Sequence, residues 1–171
     1  MTITAAAKRL YEYQPETQYE IRTLEIYHPD IGVFRLCTPY SDKTLVIESD
    51  APRNAGESVV FTASALDMRE PNEGTGSSVA MYNANFPAAG TEISKLLDSI
   101  ADTLTPVEFI YRKYISSDLS EPAIDPVYAY VSNVVFNSRQ DVTINGTTDN
   151  GAIRRTGEIY TLDKFPTLKK L

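Results

Sequence analysis

The middle of the chain opens with a run typical of a β-strand, Ser58-Val59-Val60-Phe61-Thr62-Ala63-Ser64-Ala65-Leu66. β-Branched and small residues fill this run, and they favour extended backbone. A second run alternates from Ser78 to Phe86, and one of its faces carries Ala80, Tyr82, Ala84 and Phe86. The two runs predict the arms of a long β-hairpin.

A polar segment joins the two arms, and it consists of Arg69, Glu70, Pro71, Asn72, Glu73, Gly74, Thr75, Gly76 and Ser77. Proline and glycine are unsuited to a central strand but common in loops. The segment is longer than closing two strands requires, and small residues in the arms let another backbone approach closely. We therefore predict that residues 69–77 form an inter-subunit hairpin tip, which lies against the sheet of a neighbouring copy.

An amphipathic helix is predicted over residues 91–104, because its apolar residues recur at helical spacing: Ile93, Leu96, Leu97, Ile100 and Leu104. Thr91 is a suitable N-cap, and Pro106 ends the helix. Such a stripe is unstable alone and must cover a sheet. Replacing Leu97 with alanine should then cost about 2 to 5 kcal/mol.

The remaining elements are short. A helix is predicted within residues 3–13, as an arm suited to packing on a neighbour, and strands are predicted at 18–27, 32–37, 45–47, 107–115, 127–136, 141–146 and 153–162. The run Val127–Phe136 is apolar on both faces, which predicts a central strand covered on both sides.

These elements predict an α+β protein that is mainly β: an antiparallel β-sandwich or barrel with one flanking α-helix and a long hairpin. The length of 171 residues predicts a single domain over 1–171. Within it, residues 1–15 form an N-terminal helical arm, and residues 16–171 form the β-sandwich with the helix at 91–104.

The charge is acidic, with 16 basic and 23 acidic residues and a net charge of −7. This balance argues against a groove that grips DNA or an anionic membrane. No apolar run approaches the length of a membrane span, and no signal for secretion is present. We expect a protein that is made in the cytoplasm and is not inserted into a membrane.

Candidates for chemistry are few, and each has a simpler structural interpretation. Cys37 is the only cysteine and alternates with strand residues, which predicts a half-buried thiol. His28 is the only histidine, and no G-x-S-x-G nucleophile motif accompanies it. Asp67, Glu70 and Glu73 lack the ligand order of a calcium loop. We therefore predict no catalytic residues, no metal site and no cofactor.

A resemblance to a known family rests on strand and loop motifs: Leu24-Glu25-Ile26-Tyr27 with His28-Pro29, Phe34-Arg35-Leu36, Phe61-x-Ala63-x-Ala65-Leu66, Pro71, Val79-x-Met81-x-Asn83, Pro106-Val107-x-Phe109, Tyr111-Arg112 and Phe165-Pro166. The chain resembles a phage tail-protein family of unknown function, encoded among the tail-tip genes of long-tailed phages. The resemblance spans nearly the whole chain. The chain departs from the family at Cys37-Thr38-Pro39-Tyr40, where relatives often have asparagine after the second strand.

The resemblance implies a structural virion protein, not an enzyme, with a tail-tube-like fold. It implies a ring, most simply a hexamer, in the distal tail or tail tip, assembled in the host cytoplasm and continuing the lumen through which DNA passes without tight binding. Its partners would be further copies of itself and neighbouring tail-tube, hub or tape-measure proteins. Two alternatives remain: a receptor- or carbohydrate-binding module of the tail tip, and a tail-associated hydrolase.

Overall fold

The computed structural model describes residues 3–30, 32–38, 41–70, 81–87, 105–136 and 141–148. The helix and strands of these ranges are α1 (Ala5–Tyr13), β1 (Glu20–His28), β2 (Gly32–Cys37), β3 (Lys43–Val46), β4 (Ser58–Ala63), β5 (Asp67–Arg69), β6 (Met81–Pro87), β7 (Glu108–Ile115), β8 (Val127–Phe136) and β9 (Asp141–Thr147). The predicted class, α+β and mainly β, is confirmed. Within these ranges no helix is long and apolar enough to cross a membrane.

The strands form one sheet in the order β3-β4-β2-β1-β7-β8-β9-β6-β5. Most neighbours are antiparallel, and β1 pairs with β2 through a turn that ends at Gly32, whose φ of 88° suits glycine. The predicted antiparallel arrangement has one exception: β2 and β4 run parallel where Leu36 pairs with Thr62 and Cys37 with Ala63. The long β3–β4 connection returns the chain beside β2 in that direction.

The sheet curls on itself, so that β5 at one end reaches β1 in the middle. Arg22 of β1 donates from Nη1 to the Met68 carbonyl of β5 over 3.2 Å. The curl encloses a core built from Leu24, Ile26, Leu36, Leu66, Met68, Ala84, Phe109, Tyr111, Ala129, Val142 and Ile144. Among the described residues, β5 pairs only with β6, so the predicted barrel does not close.

The outer face of the curl is covered by β3, β4 and the loop between them, residues 43–63, which we call the flap. Leu45, Ile47 and Phe61 of the flap pack against Ile21 and Tyr114 of the sheet. Tyr114 also donates its hydroxyl to the Val46 carbonyl at 2.8 Å. The flap therefore forms a partial second layer, held by a small apolar core of its own.

The N-terminal helix is present where it was predicted, but α1 packs on its own sheet. Thr4 caps it by accepting from the Ala7 amide. Ala7 and Leu10 contact Ile115 and Ala123 near the end of β7. Packing of this helix on a neighbouring copy stays a prediction.

The predicted long hairpin has shorter arms than expected. The first run divides at Ser64, where it leaves β4, and only Asp67–Arg69 pairs with β6, in the register Met68 to Ala84. The Ser64 amide still pairs with β2, since it donates to the Cys37 carbonyl at 2.9 Å. The backbone then turns, and the Leu66 amide donates to the Ser64 carbonyl at 2.7 Å. The segment Ser58–Ala63 belongs to the flap instead.

The prediction for β8 was also wrong in one respect. This strand lies inside the sheet, between β7 and β9, but its outer face is open: Tyr128 is 44% exposed and Val135 is 41% exposed. The strand covered on both faces is β7, in which every residue from Phe109 to Ile115 is buried. The predicted helix at 91–104, the tip residues 71–77 and the strand at 153–162 lie outside the described residues.

Candidate functional site

The predicted inter-subunit segment, residues 69–77, is described only at its start. Arg69 ends β5 with a side chain that is 78% exposed, and it lies 3.6 Å from the Asp67 carboxylate. Glu70 contacts the sheet instead, although its side chain is 42% exposed. Pro71, Asn72, Glu73, Gly74, Thr75, Gly76 and Ser77 lie outside the described residues, so the contact with a neighbouring subunit stays a prediction.

Glu70 anchors the base of the β5–β6 hairpin to the middle of the sheet. Its Oε1 accepts a hydrogen bond from the Tyr111 hydroxyl at 2.9 Å and forms an ion pair with Lys113. Burial alone would raise the pKa of Glu70, but the hydrogen bonds from Lys113 and Tyr111 outweigh it and lower that pKa. Burial and the Glu70 charge raise the pKa of Tyr111. The hairpin therefore leaves the sheet from a fixed base.

A second polar cluster lies on the outer face of the sheet, under the flap. At its centre is Arg112 of β7, which is fully buried. Its guanidinium donates from Nε to Glu48 Oε2 at 2.7 Å and from Nη2 to Glu48 Oε1 at 2.9 Å. A third hydrogen bond runs from Nη1 to Glu25 Oε2 at 3.2 Å. Arg112 thus joins β1 to the flap through two carboxylates.

Further arginines complete the charge balance around Glu25, which is 1% exposed. Arg35 of β2 donates to Glu25 Oε2 at 3.1 Å, and Arg53 of the flap donates to Glu25 Oε1 at 3.3 Å. Arg53 also reaches Glu108 and lies 3.9 Å from the centre of the Tyr27 ring. Three arginines face three glutamates: Arg35, Arg53, Arg112, Glu25, Glu48 and Glu108. We call these six residues the ionic network.

Proton affinities in the network follow from these contacts. Burial would raise the pKa of Glu48, but hydrogen bonds from Arg112 and Tyr128 hold it below its ordinary value. Burial would lower the pKa of Arg112, and its contacts with Glu48 reverse that effect. Burial and the hydrogen bond to Glu48 raise the pKa of Tyr128. Near neutral pH Glu48 is therefore ionised, and both Arg112 and Tyr128 donate to it.

A cleft of about 600 Å³ opens beside Glu48. Its walls come from three places: the flap tip, the loop that follows β7 and the start of β8, with Thr4 ahead of α1 at one edge. Glu48 and Tyr128 belong both to this cleft and to the contacts of the ionic network. The cleft is thus a concave surface whose floor is held by buried charges.

Neither the ionic network nor the cleft was predicted from the sequence. Arg112 lies in a strand whose other residues are mostly apolar, at a position that the alternation predicts to be buried. Charged residues are seldom buried without a partner, so this position was the signal that could have indicated the network. Glu48 follows β3 in a loop, and it meets Arg112 only because the flap folds across the sheet. No local pattern records that contact.

The two residues considered as candidates for chemistry, Cys37 and His28, are both buried in the fold. Cys37 is fully buried, and burial raises the pKa of its thiol. His28 is 1% exposed, and its Nδ1 accepts the Asp30 amide at 3.2 Å. In the described part of the chain, no group of three or more His, Cys, Asp or Glu side chains is placed to hold a metal ion.

Comparison with known proteins places the chain in a family. No curated protein matches it at a significant level. Residues 5–151 match a family described as a domain of unknown function, DUF1833. Since this match covers well over half of the sequence, the chain belongs to the DUF1833 family.

Proposed function

We propose that the protein is a structural component of the tail of a long-tailed phage, a ring-forming subunit of the distal tail or tail tip. The strand and loop motifs that resemble a phage tail-protein family support this role, and they extend from Leu24 to Phe165. The mainly β fold agrees with the tail-tube-like architecture that the resemblance implies. The protein acts by assembling and not by catalysis.

The observation that carries the proposal is the β5–β6 hairpin. It forms one end of the sheet, and the sequence segment 69–77 predicted to join its arms is longer than the two to five residues that suffice to close a hairpin. Its base is fixed to the sheet: Glu70 contacts Tyr111 and Lys113 of β7, and the Met68 carbonyl accepts a hydrogen bond from Arg22 of β1. A long connection that starts from a rigid base is suited to reaching a neighbouring subunit.

The ring proposed here closes head to tail, most simply as a hexamer, and contacts neighbouring tube, hub or tape-measure proteins. Its acidity suits a conduit: a net charge of −7 repels the phosphates of passing DNA. We expect no DNA binding at moderate salt in an electrophoretic mobility assay. Submicromolar binding that weakens steeply with added salt would contradict the conduit role.

The test is a phage whose gene for this protein is edited to shorten the hairpin. Residues 71–77 are replaced by Asn-Gly, a sequence that closes a two-residue turn, while Glu70 and its anchor are kept. The variant subunit should fold with the stability of the wild type and fail to enter tails. Its matched control replaces the same seven positions, 71–77, with glycine and serine, which keeps the length and removes the sequence.

The outcomes separate length from side-chain recognition. If neither variant is incorporated, specific side chains of the segment make the contact. If only the shortened variant fails, the length of the hairpin is what the contact requires. Either result supports a subunit contact through the hairpin. Normal incorporation of the shortened variant into infectious particles overturns the proposal.

A further inference from the structure

The cleft beside Glu48 has the size of a small-molecule site. Its volume of about 600 Å³ lies within the range of roughly 300 to 1,000 Å³ that is typical of ligand pockets. Thr4 is tied to the loop after β7, since its amide donates to the Ala123 carbonyl at 3.0 Å. The flap side is tied in turn by the Val46 amide, which donates to the Leu119 carbonyl at 3.0 Å. Its walls are thus bonded to one another.

Part of the cleft lining is apolar, and it includes an aromatic ring in a fixed position. Ile124, Pro126 and Tyr128 contribute this part, and Tyr128 is 44% exposed. The Tyr128 hydroxyl donates to Glu48 Oε1 at 2.7 Å, and Glu48 is itself held by two hydrogen bonds from Arg112. The ring therefore presents an accessible surface that is already held in place. Binding a ligand to it costs little further side-chain entropy.

The cleft also presents hydrogen-bond acceptors. Ser49 and Asp50 of the flap and Glu121 of the loop after β7 line it. Carboxylates repel phosphate and other anions, and they accept strong hydrogen bonds from hydroxyl groups. These acceptors come from two separate segments, the flap and the loop after β7. Acceptors on two segments suit a ligand with several hydroxyls.

We propose that this cleft binds a neutral saccharide. A pyranose ring has an apolar C–H face, which fits against Tyr128, and hydroxyls along its edges, which reach Ser49, Asp50 and Glu121. The ionic network acts behind the site, because it fixes Glu48 and through it the Tyr128 ring. This inference goes beyond the ring-forming role and does not depend on it, since an isolated subunit contains the whole cleft.

The test uses the full chain and a panel of neutral oligosaccharides that includes maltotriose and the trimer of N-acetylglucosamine. Backbone amide shifts are followed by NMR during each titration. We expect at least one saccharide to bind with a dissociation constant of about 1 mM or lower. The amides that move should be those of the cleft, at Ser49, Asp50 and Glu121. This part of the test needs no variant.

Variants then assign the contact. Tyr128→Ala removes the ring and should weaken binding about tenfold or more. Tyr128→Phe keeps the ring and loses only the hydroxyl bond to Glu48, so its loss should be smaller. Tyr13→Ala is the matched control, because Tyr13 is 76% exposed and does not line the cleft. It should bind as the wild type does.

Three outcomes would overturn the proposal. One is that no saccharide of the panel shifts any cleft amide. Another is that the shifts occur away from the cleft and survive Tyr128→Ala in a variant with a wild-type amide spectrum. The last is that trilysine shifts the cleft amides while no saccharide does, which would assign the cleft to a cationic partner.

Discussion

The Arg112 guanidinium and the Glu48 carboxylate form two parallel hydrogen bonds, of 2.7 and 2.9 Å, between the centre of the sheet and the flap. Arg112 is fully buried, and the Glu48 side chain is 9% exposed. A pair in this setting gains strength from its low-dielectric surroundings and leaves an expensive charge behind if one partner is lost. The flap is thus attached to the sheet by charge as well as by apolar packing.

Replacing Arg112 should strongly destabilise the protein. Arg112→Met keeps much of the side-chain volume but leaves Glu25 and Glu48 without their shared partner. We expect a loss of about 3 to 5 kcal/mol in the free energy of unfolding, measured by urea titration. Arg69→Met is the control, because Arg69 is 78% exposed and should change stability by about 0.5 kcal/mol at most. A loss below about 1 kcal/mol for Arg112→Met would contradict a network that stabilises the flap.

Acid should weaken the same attachment. The pKa of Glu48 is lowered by folding, so its contribution to stability is present above the pKa of the unfolded chain and is lost as the pH falls through the folded value. The difference in unfolding free energy between wild type and Glu48→Gln should be largest near pH 7 and should shrink on acidification. Glu16→Gln, at an exposed position, serves as the control. A difference that grows toward acid pH would contradict this account.

The flap has a second attachment at Tyr114, whose hydroxyl donates to the Val46 carbonyl at 2.8 Å. Tyr114→Phe leaves a partly buried carbonyl without this donor and should cost about 1 to 2 kcal/mol. Hydrogen exchange should quicken at flap amides such as Leu45 and change less at β9 amides. Tyr13→Phe is the control for loss of a hydroxyl at an exposed site. Equal changes in both regions would mean that the hydroxyl does not hold the flap specifically.

Close packing at Gly146 of β9 gives a separate test of the inner core. A Cβ at this position would meet the Phe109 ring at 3.1 Å from both Cδ1 and Cγ. Gly146→Ala should therefore destabilise the protein by about 1 to 3 kcal/mol. The double variant Gly146→Ala with Phe109→Leu should show a compensating interaction, because leucine relieves the clash. If the losses of stability of the two single variants simply add in the double variant, the Phe109 ring does not contact position 146.

Most strands were predictable because each carries a local period of two. The alternation in residues 107–115 locates β7, and Ile21, Leu24 and Ile26 locate β1. The sheet order was not predictable, since it depends on contacts between distant segments. The break at Ser64 illustrates the difference: the run from Ser58 to Leu66 has uniform strand propensity, and it divides where its pairing with Cys37 of β2 ends.

The candidate sites differ in the same way. The start of the hairpin segment, at Arg69 and Glu70, was identified from proline and glycine punctuation nearby. The partners of Glu70 were not, because Tyr111 and Lys113 are brought to it by the curl of the sheet. The cleft needs the flap, the loop after β7 and Thr4 together, so no single motif predicts it.

The central claim is that this chain forms a ring in the distal tail. The most direct measurement is averaged electron microscopy of phage tails whose copies of the protein carry a gold-labelled affinity tag. The account predicts a ring of label at the distal end of each tail, around an open lumen. Mature tails that carry no label, or label distributed along the whole tube, would contradict it.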